Sequence, residues 1–106
     1  MRLGDLELYI LIAGRWKADG GLMFGVVPKV MWEKLKPADG NNMIDCACVG
    51  LIARVNGRVI VCETGIGTKL SEKRARQVVL REPEGLLHSL KRVGIRPDEV
   101  DAVITT

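Results

Sequence analysis

Few residues in this sequence have side chains that could carry out chemistry. Its 106 residues include three cysteines and one histidine. Cys46 and Cys48 stand two positions apart, so on a β-strand both would point to one face, and Cys62 falls in the following strand. A zinc site usually takes C-x-x-C pairs, and an odd cysteine count argues against a disulfide framework. We interpret the thiols as small buried hydrophobic groups, with metal ligation as the alternative.

The groups that acid–base or nucleophilic catalysis needs are also poorly placed. His88 lies inside a predicted helix, and we interpret it as a surface or half-buried helix residue, with a ligand role as the alternative. Asp98 and Glu99 would occupy a first helical turn, where the helix dipole lowers a carboxyl pKa, whereas a general acid needs a raised one. The stretch ETGIG, residues 63–67, matches neither a nucleophile elbow nor a phosphate loop. We therefore assign no catalytic residue and no metal ligand within this chain.

Composition indicates one globular domain and excludes several classes of partner. Apolar residues make up 47% of the chain, and the net charge of +3 is too small to indicate nucleic acid. The basic cluster within residues 69–81 is interleaved with acids, which favours a solvated helix face over a phosphate-binding one. No apolar run reaches the ~18 residues of a membrane span, and the start MRLGDLEL lacks the basic region of a secretory signal. We expect a cytoplasmic protein with no membrane or nucleic-acid partner.

Apolar runs and turn residues predict the strands. Leu6–Ala13 reads as a first strand ended by Gly14, with a loop over residues 17–21. Met43–Val55 and Arg58–Cys62 flank Asn56-Gly57, the pair that favours a type I′ hairpin turn. Both hairpin strands are almost continuously apolar, which predicts a sheet covered on both faces.

Three helices and a final strand complete the prediction. A short helix is expected from Pro28, with Val30, Met31 and Leu35 on one side, and a second helix over Ser71–Arg81. The third, Glu84–Val93, would end at Gly94 and bury a stripe formed by Leu86, Leu87, Leu90 and Val93. A single turn at Pro97 then precedes a strand over residues 102–106.

Three segments in this order resemble a known family: GVVPKVMWEKLKPADGNN, VGLIARVNGRVIVCETGIG and LLHSLKRVGIRPDEVDAVITT. Together they are similar to the N-terminal half of metallo-β-lactamase-fold hydrolases, in the branch of the N-acyl homoserine lactonases. The resemblance runs from about Leu6 to Thr106 and implies an α/β (α+β) fold, one half of an αββα sandwich. It would have a mostly antiparallel or mixed sheet with a helix layer on one face, so that residues 1–106 form a single partial domain.

The resemblance also implies where the chemistry would lie. In the family, the zinc-binding signature H-x-H-x-D-H follows the segment that matches Val103–Thr106, so the expectation is a chain cut just before its metal ligands. A complete member would hold two zinc ions and use metal-activated water to cleave ester, lactone or related bonds. We expect no cofactor on this chain alone. The alternative is that Ala102–Thr106 is the last strand of a complete small domain.

A few residues carry over from the family pattern. The family's D-T-G loop corresponds to Glu63, Thr64 and Gly65, which are expected to brace the metal loop by hydrogen bonds; here glutamate replaces the usual aspartate. Met23 and Phe24 would line an acyl or leaving-group pocket. The alternative, held equally, is that both side chains fill the core between the two layers of the fold. Trp32 is expected to pack more than to contact substrate.

Three functions compete at this point. The first is a fragment of a zinc hydrolase, inactive alone, whose apolar inner face leads to self-association or pairing with a complementary C-terminal half. Only the complete enzyme would take a small-molecule substrate. The second is a non-catalytic interaction or dimerisation module derived from that fold. The third, a basic nucleic-acid binder, is disfavoured because the charge is mild and aromatic residues are few.

Overall fold

A computed structural model describes residues 1–106 as one mixed sheet with helices against it. The strands are β1 (Arg2–Leu3), β2 (Leu6–Asp19), β3 (Met43–Val55), β4 (Arg58–Cys62) and β5 (Ala102–Ile104). The helices are α1 (Gly20–Phe24), α2 (Lys29–Trp32), α3 (Glu72–Gln77) and α4 (Gly85–Arg92), and a 3₁₀ turn spans Pro97–Glu99. No helix is long and apolar enough to cross a lipid bilayer.

The five strands lie side by side in chain order. Every neighbouring pair is antiparallel except β4 and β5, which run parallel because the chain crosses back through α3 and α4. The predicted hairpin is confirmed: Val55 pairs with Arg58, and Asn56 and Gly57 have φ of 49° and 75°, as a type I′ turn requires. The predicted class is confirmed too, since this is an α+β fold with a mostly antiparallel sheet.

One face of the sheet forms the core. Strand pairing places alternate residues of β2, β3 and β4 on that face, and α4 and the segment after it cover them. Burying an aliphatic side chain fully is worth roughly 1.5–3 kcal/mol, so this cluster makes a large contribution to stability. Its seven buried members are Leu11, Ala13, Ile52, Val59, Val61, Leu90 and Ile95.

The opposite face of the sheet is apolar and uncovered, and we call it the open face. Its exposed side chains include Ile10 at 64%, Val49 at 57% and Leu51 at 40% relative exposure. The register aligns them with further apolar positions on the same face: Leu8, Ile12, Ala53, Ile60, Cys62, Ala102 and Ile104. The prediction of a sheet covered on both faces is therefore wrong for these residues, because the chain supplies a helix layer for one face only.

A β-bulge in β2 corrects the predicted end of the first strand. Pairing with β3 shifts between Ile12 and Gly14, which leaves Ala13 as an extra residue, and β2 then continues to Asp19. The predicted stop at Gly14 and the loop over residues 17–21 are wrong, because Gly14 serves the bulge and the strand stays paired beyond it. The local signal for a turn is overridden by thirteen residues of partner strand in β3.

Two residues of α4 pack tightly on the backbone of this bulge. A Cβ at Gly85, the first residue of α4, would lie 2.7 Å from Gly14 N and 2.8 Å from Ile12 O. Ser89, one turn further along α4, is 4% exposed; its Oγ donates to Ile12 O at 2.9 Å and accepts from Ile12 N–H at 3.2 Å. Ser89 therefore satisfies the backbone N–H and C=O of Ile12, which would otherwise be unpaired at the edge of β2.

The predicted helices exist but are shorter. α3 ends at Gln77 instead of Arg81, since Val79 adopts a φ of 43° and residue 81 pairs with β2. α2 keeps only Lys29–Trp32, and the buried residue there is Trp32, whereas Val30, Met31 and Leu35 are exposed. In α4 the predicted stripe holds for Leu90, with Leu86 and Val93 half-buried against the core, but Leu87 is exposed.

The contact of Gly85 with the bulge predicts a large effect of a single methyl group. Gly85→Ala should lower the free energy of unfolding by about 1–3 kcal/mol, because its Cβ would overlap backbone atoms that cannot move aside. Gly40→Ala is the matched control, since nothing lies within 4 Å of its Cβ position. Urea unfolding followed by circular dichroism measures both; equal midpoints for the two variants would contradict this packing.

Candidate functional site

Glu63, at the end of β4, forms hydrogen bonds with the last residues of the chain. It follows Cys62 with a φ of 74°, and its N–H donates to Ile104 O at 2.9 Å. Its Oε1 accepts from Thr106 N at 2.7 Å and from the Thr106 hydroxyl. The carboxylate therefore holds the backbone that leaves β5, at the edge of the sheet where the parallel strands β4 and β5 both end.

These hydrogen bonds stabilise the charged form of Glu63. The hydroxyl and the N–H of Thr106 hold the pKa of the Glu63 carboxyl below its usual value, against a smaller opposing effect of desolvation. A lowered pKa in the folded state means that the stabilisation is complete above the ordinary glutamate pKa. It is lost as the pH falls through the lowered one.

Gly65 and the neighbouring residues attach this loop to the bulge. Gly65 has a φ of 74°, and a Cβ there would lie 2.6 Å from both Ala13 Cβ and Ala13 O, so only glycine fits. Burial is the main cause that raises the pKa of the Cys48 thiol, against a smaller opposing effect of the Ile66 backbone. Thr64 is half-buried beside a shallow depression formed with the start of α4.

Met23 and Phe24 lie on α1, directly after the long strand β2. Asp19 begins this helix, because its Oδ1 accepts from Leu22 N at 3.0 Å. Met23 is half exposed, whereas Phe24 stacks on Trp32 with ring centroids 4.7 Å apart. Trp32 is buried against Gly20, whose absent Cβ would lie 2.3 Å from the indole ring, so Trp32 packs as predicted.

The residues of this chain do not fit a zinc site. No group of three or more histidine, cysteine or acidic side chains lies close enough to hold a metal ion. His88 is exposed on α4 and shares a shallow cleft with Arg15 and Arg92, whose positive charges would oppose a cation. The three cysteines are free and half-buried, and the register places Cys48 on the core face and Cys62 on the open face.

Sequence reasoning named Glu63, Thr64 and Gly65 but missed their partners. The contact of Glu63 with Thr106 joins residues 43 positions apart, and it depends on the parallel pairing of β4 with β5. The close contact of Gly65 with Ala13 depends on the bulge. A glycine after a strand end signals a positive φ, but it does not reveal which backbone lies opposite.

Two solved structures are similar to this chain over nearly its whole length. A probable metal-dependent hydrolase from Staphylococcus aureus matches with a TM-score of 0.89 and 33% identity, over 100% of this chain and 39% of that one. AidC, a dizinc quorum-quenching lactonase in complex with a product, matches with a TM-score of 0.73 and 24% identity, over 99% of this chain and 34% of that one. No protein-family profile and no curated protein matches the chain.

These matches establish the fold. The five-stranded sheet and its helices are the fold that the probable hydrolase has over the matched region. The chain spans 39% and 34% of the length of the two proteins, so the matched region is a part of each. In this chain the matched region consists of one sheet, one helix layer and the loop at Glu63.

The hydrogen bonds of Glu63 predict a measurable titration. Thr106→Val removes the hydroxyl donor and keeps the N–H, so the pKa of Glu63 should rise toward the usual glutamate value. The acid limb of the stability curve should move to higher pH with it. Carboxyl ¹³C NMR of the unchanged protein and of Thr106→Val measures the pKa of Glu63. Thr68→Val, at an exposed threonine, is the control. A Glu63 pKa that Thr106→Val leaves unchanged would refute the contact.

Proposed function

We propose that this chain is a part of a zinc-dependent hydrolase of the metallo-β-lactamase fold, which cleaves ester, lactone or related bonds of a small molecule. We propose further that residues 1–106 are inactive alone. The observation that carries the proposal is the match to a probable metal-dependent hydrolase at 33% identity across the full chain. The fold match to a dizinc lactonase supports zinc as the metal.

The zinc ligands of such a hydrolase would come from residues outside 1–106. Within this chain no ligand cluster exists, so we derive no catalytic step from its side chains. Two zinc ions are proposed for the complete protein, in keeping with the dizinc neighbour. What this chain would contribute is structure: a sheet edge and a loop that set the position of the backbone after Thr106.

Glu63, Thr64 and Gly65 are proposed to brace that backbone. The carboxylate of Glu63 already holds Thr106 through its N–H and hydroxyl, and Gly65 fixes the loop to Ala13. A side chain that orients the backbone beside a metal acts through geometry, because ligands must be held within a few tenths of an ångström. The longer glutamate side chain reaches Thr106 in this fold, which supports a bracing role for the residue that stands where the family has aspartate.

Met23 and Phe24 are proposed to line the pocket for an acyl or leaving group. Met23 offers a flexible, half-exposed thioether, a side chain suited to irregular apolar ligands. Phe24 is fixed by its stack on Trp32, so it would form the rigid wall. Both lie on a short helix after the end of β2, outside the closed core.

The open face supports a second candidate function. Ile10, Val49 and Leu51 expose a continuous apolar surface, and such surfaces mark interaction sites or aggregation liabilities. In the proposed hydrolase a complementary C-terminal half would cover this face, and residues 1–106 alone would self-associate through it. The alternative is a non-catalytic dimerisation module, which would use the same face. A cytoplasmic location, with no membrane or nucleic-acid partner, is proposed from composition.

Metal content and turnover test the proposed hydrolase. Two proteins should be purified in parallel: the complete hydrolase that contains these residues, and residues 1–106 alone. Both should be assayed for zinc by mass spectrometry and for hydrolysis of a panel of lactones and esters. We expect two zinc ions and turnover for the former and neither for the latter. Stoichiometric zinc with turnover on residues 1–106 would overturn the proposal.

The pocket role of Met23 predicts an effect on substrate preference. In the active protein, Met23→Ala should shift the preference among acyl lengths more than Leu22→Ala, at the neighbouring exposed position.

Self-association through the open face has its own test. Val49→Lys should make residues 1–106 monomeric by light scattering, because a charge would have to be desolvated at the contact. Val26→Lys is the control, since Val26 is fully exposed but lies between α1 and α2. In a complete hydrolase the same Val49→Lys should lower the free energy of unfolding, whereas a dimerisation module would only dissociate. Oligomers that persist in Val49→Lys would contradict this role of the face.

A further inference from the structure

A cleft of about 360 Å³ lies on the part of the sheet where β2 and β3 extend beyond β4. Residues 51–55 of β3 pair with β4, so this pairing begins at Leu51, whereas the cleft lies against residues 45–47, nearer the start of β3. At about 3.3 Å per residue, the cleft begins roughly 13 Å past the end of β4. Its lining contains three cations and one carboxylate: Arg15, Trp16, Lys36, Asp45, Cys46, Ala47 and Arg81.

Backbone pairing places two arginines side by side at this cleft. Arg15 and Arg81 form an isolated antiparallel bridge, in which Arg15 N–H donates to Arg81 O at 2.9 Å and Arg81 N–H donates to Arg15 O at 2.7 Å. Residues that exchange both hydrogen bonds stand directly opposite each other, with neighbouring side chains. Like charges at directly opposed positions repel, so this pair costs stability unless an anion lies nearby.

The carboxylates of the chain neutralise these cations only in part. Arg81 approaches Asp45 at 3.8 Å and Arg15 approaches Glu82 at 3.5 Å, both longer than a hydrogen bond to a charged group. Lys36 forms no ion pair at all. Both arginine side chains are more than half exposed, at 53% and 55%, so their guanidinium groups are free to turn toward a ligand.

Lys17, on the same strand, shows what a satisfied cation looks like in this protein. Its Nζ lies 2.6 Å from Asp39 Oδ2, and this contact, together with the N–H groups of Met43 and Asn41, lowers the pKa of Asp39 to about 2. The contrast between 2.6 Å at Lys17 and 3.5–3.8 Å at the two arginines shows that the cleft keeps unused positive charge.

We propose that this cleft binds a small organic molecule that carries two or more oxyanion charges, a phosphate ester or a polycarboxylate. Guanidinium groups bind phosphate and carboxylate oxygens in pairs, and Arg15, Arg81 and Lys36 would supply cations from three separate chain segments. The volume suits a small metabolite and falls at the low end of ligand sites. The proposal does not depend on the hydrolase function, because every residue in it belongs to this chain.

Direct binding to residues 1–106 tests the site. Isothermal titration with pyrophosphate and with citrate at low ionic strength is expected to give saturable binding at one site per chain. Arg81→Gln keeps the backbone bridge and should weaken that binding by about tenfold, since it removes charged hydrogen bonds. Lys36→Gln, at an exposed position outside the sheet, should weaken it in the same direction and tests the site even if Arg81→Gln fails to fold.

Arg58→Gln is the control for loss of charge alone. Arg58 lies at the start of β4, in the hairpin, and forms no ion pair. It should leave the affinity within about twofold. Binding of pyrophosphate alone or of citrate alone would support the site and identify which oxyanion it prefers. No saturable binding of either, or an equal loss in Arg58→Gln and Arg81→Gln, would overturn the proposal.

Discussion

The structure depends on the approach of two glycines to one irregular point of one strand. Ala13 is the extra residue in β2, and there the strand backbone is contacted by Gly65 from the loop after β4 and by Gly85 from the start of α4. Both contacts are closer than a Cβ would allow. A bulge bends a strand and exposes its backbone, and here the exposed groups are covered by Ser89 and by the segment at Arg81. The loop, the helix and the strand are therefore held as one unit.

This unit connects the fold to its proposed role. Glu63 lies two residues before Gly65, so the seat of the loop on Ala13 also sets the place of the carboxylate that holds Thr106. In a hydrolase with metal ligands beyond this chain, the value of the arrangement would lie in rigidity, because catalytic sites lose activity when supporting groups shift by about 1 Å. The open face has the opposite character: it is apolar, regular and unoccupied by this chain, so it favours a second layer over it.

Local chemistry predicted some elements well and could not predict others. Asn56-Gly57 and Gly94, which follows the C-cap of α4, act through their own backbone angles, so the hairpin and the helix end were predictable. The continuation of β2 past Gly14 depends on pairing with β3, and the early end of α3 depends on the bridge at residue 81. For the site, a resemblance indicated Glu63, but its contact with Thr106 required the tertiary structure. The cationic cleft was invisible in sequence because its cations come from three distant segments.

Native-state hydrogen exchange tests the central claim most directly, because it measures whether the bulge, the loop and the helix open together. The amides of Ile12, Arg15 and Glu63 donate to Ser89 Oγ, Arg81 O and Ile104 O respectively. If the glycine contacts join these elements into one unit, the three amides will exchange slowly, with opening free energies close to that of the core residue Ile52. Fast exchange at Ile12 and Arg15, as at a free strand edge, alongside a protected Ile52 would contradict the account.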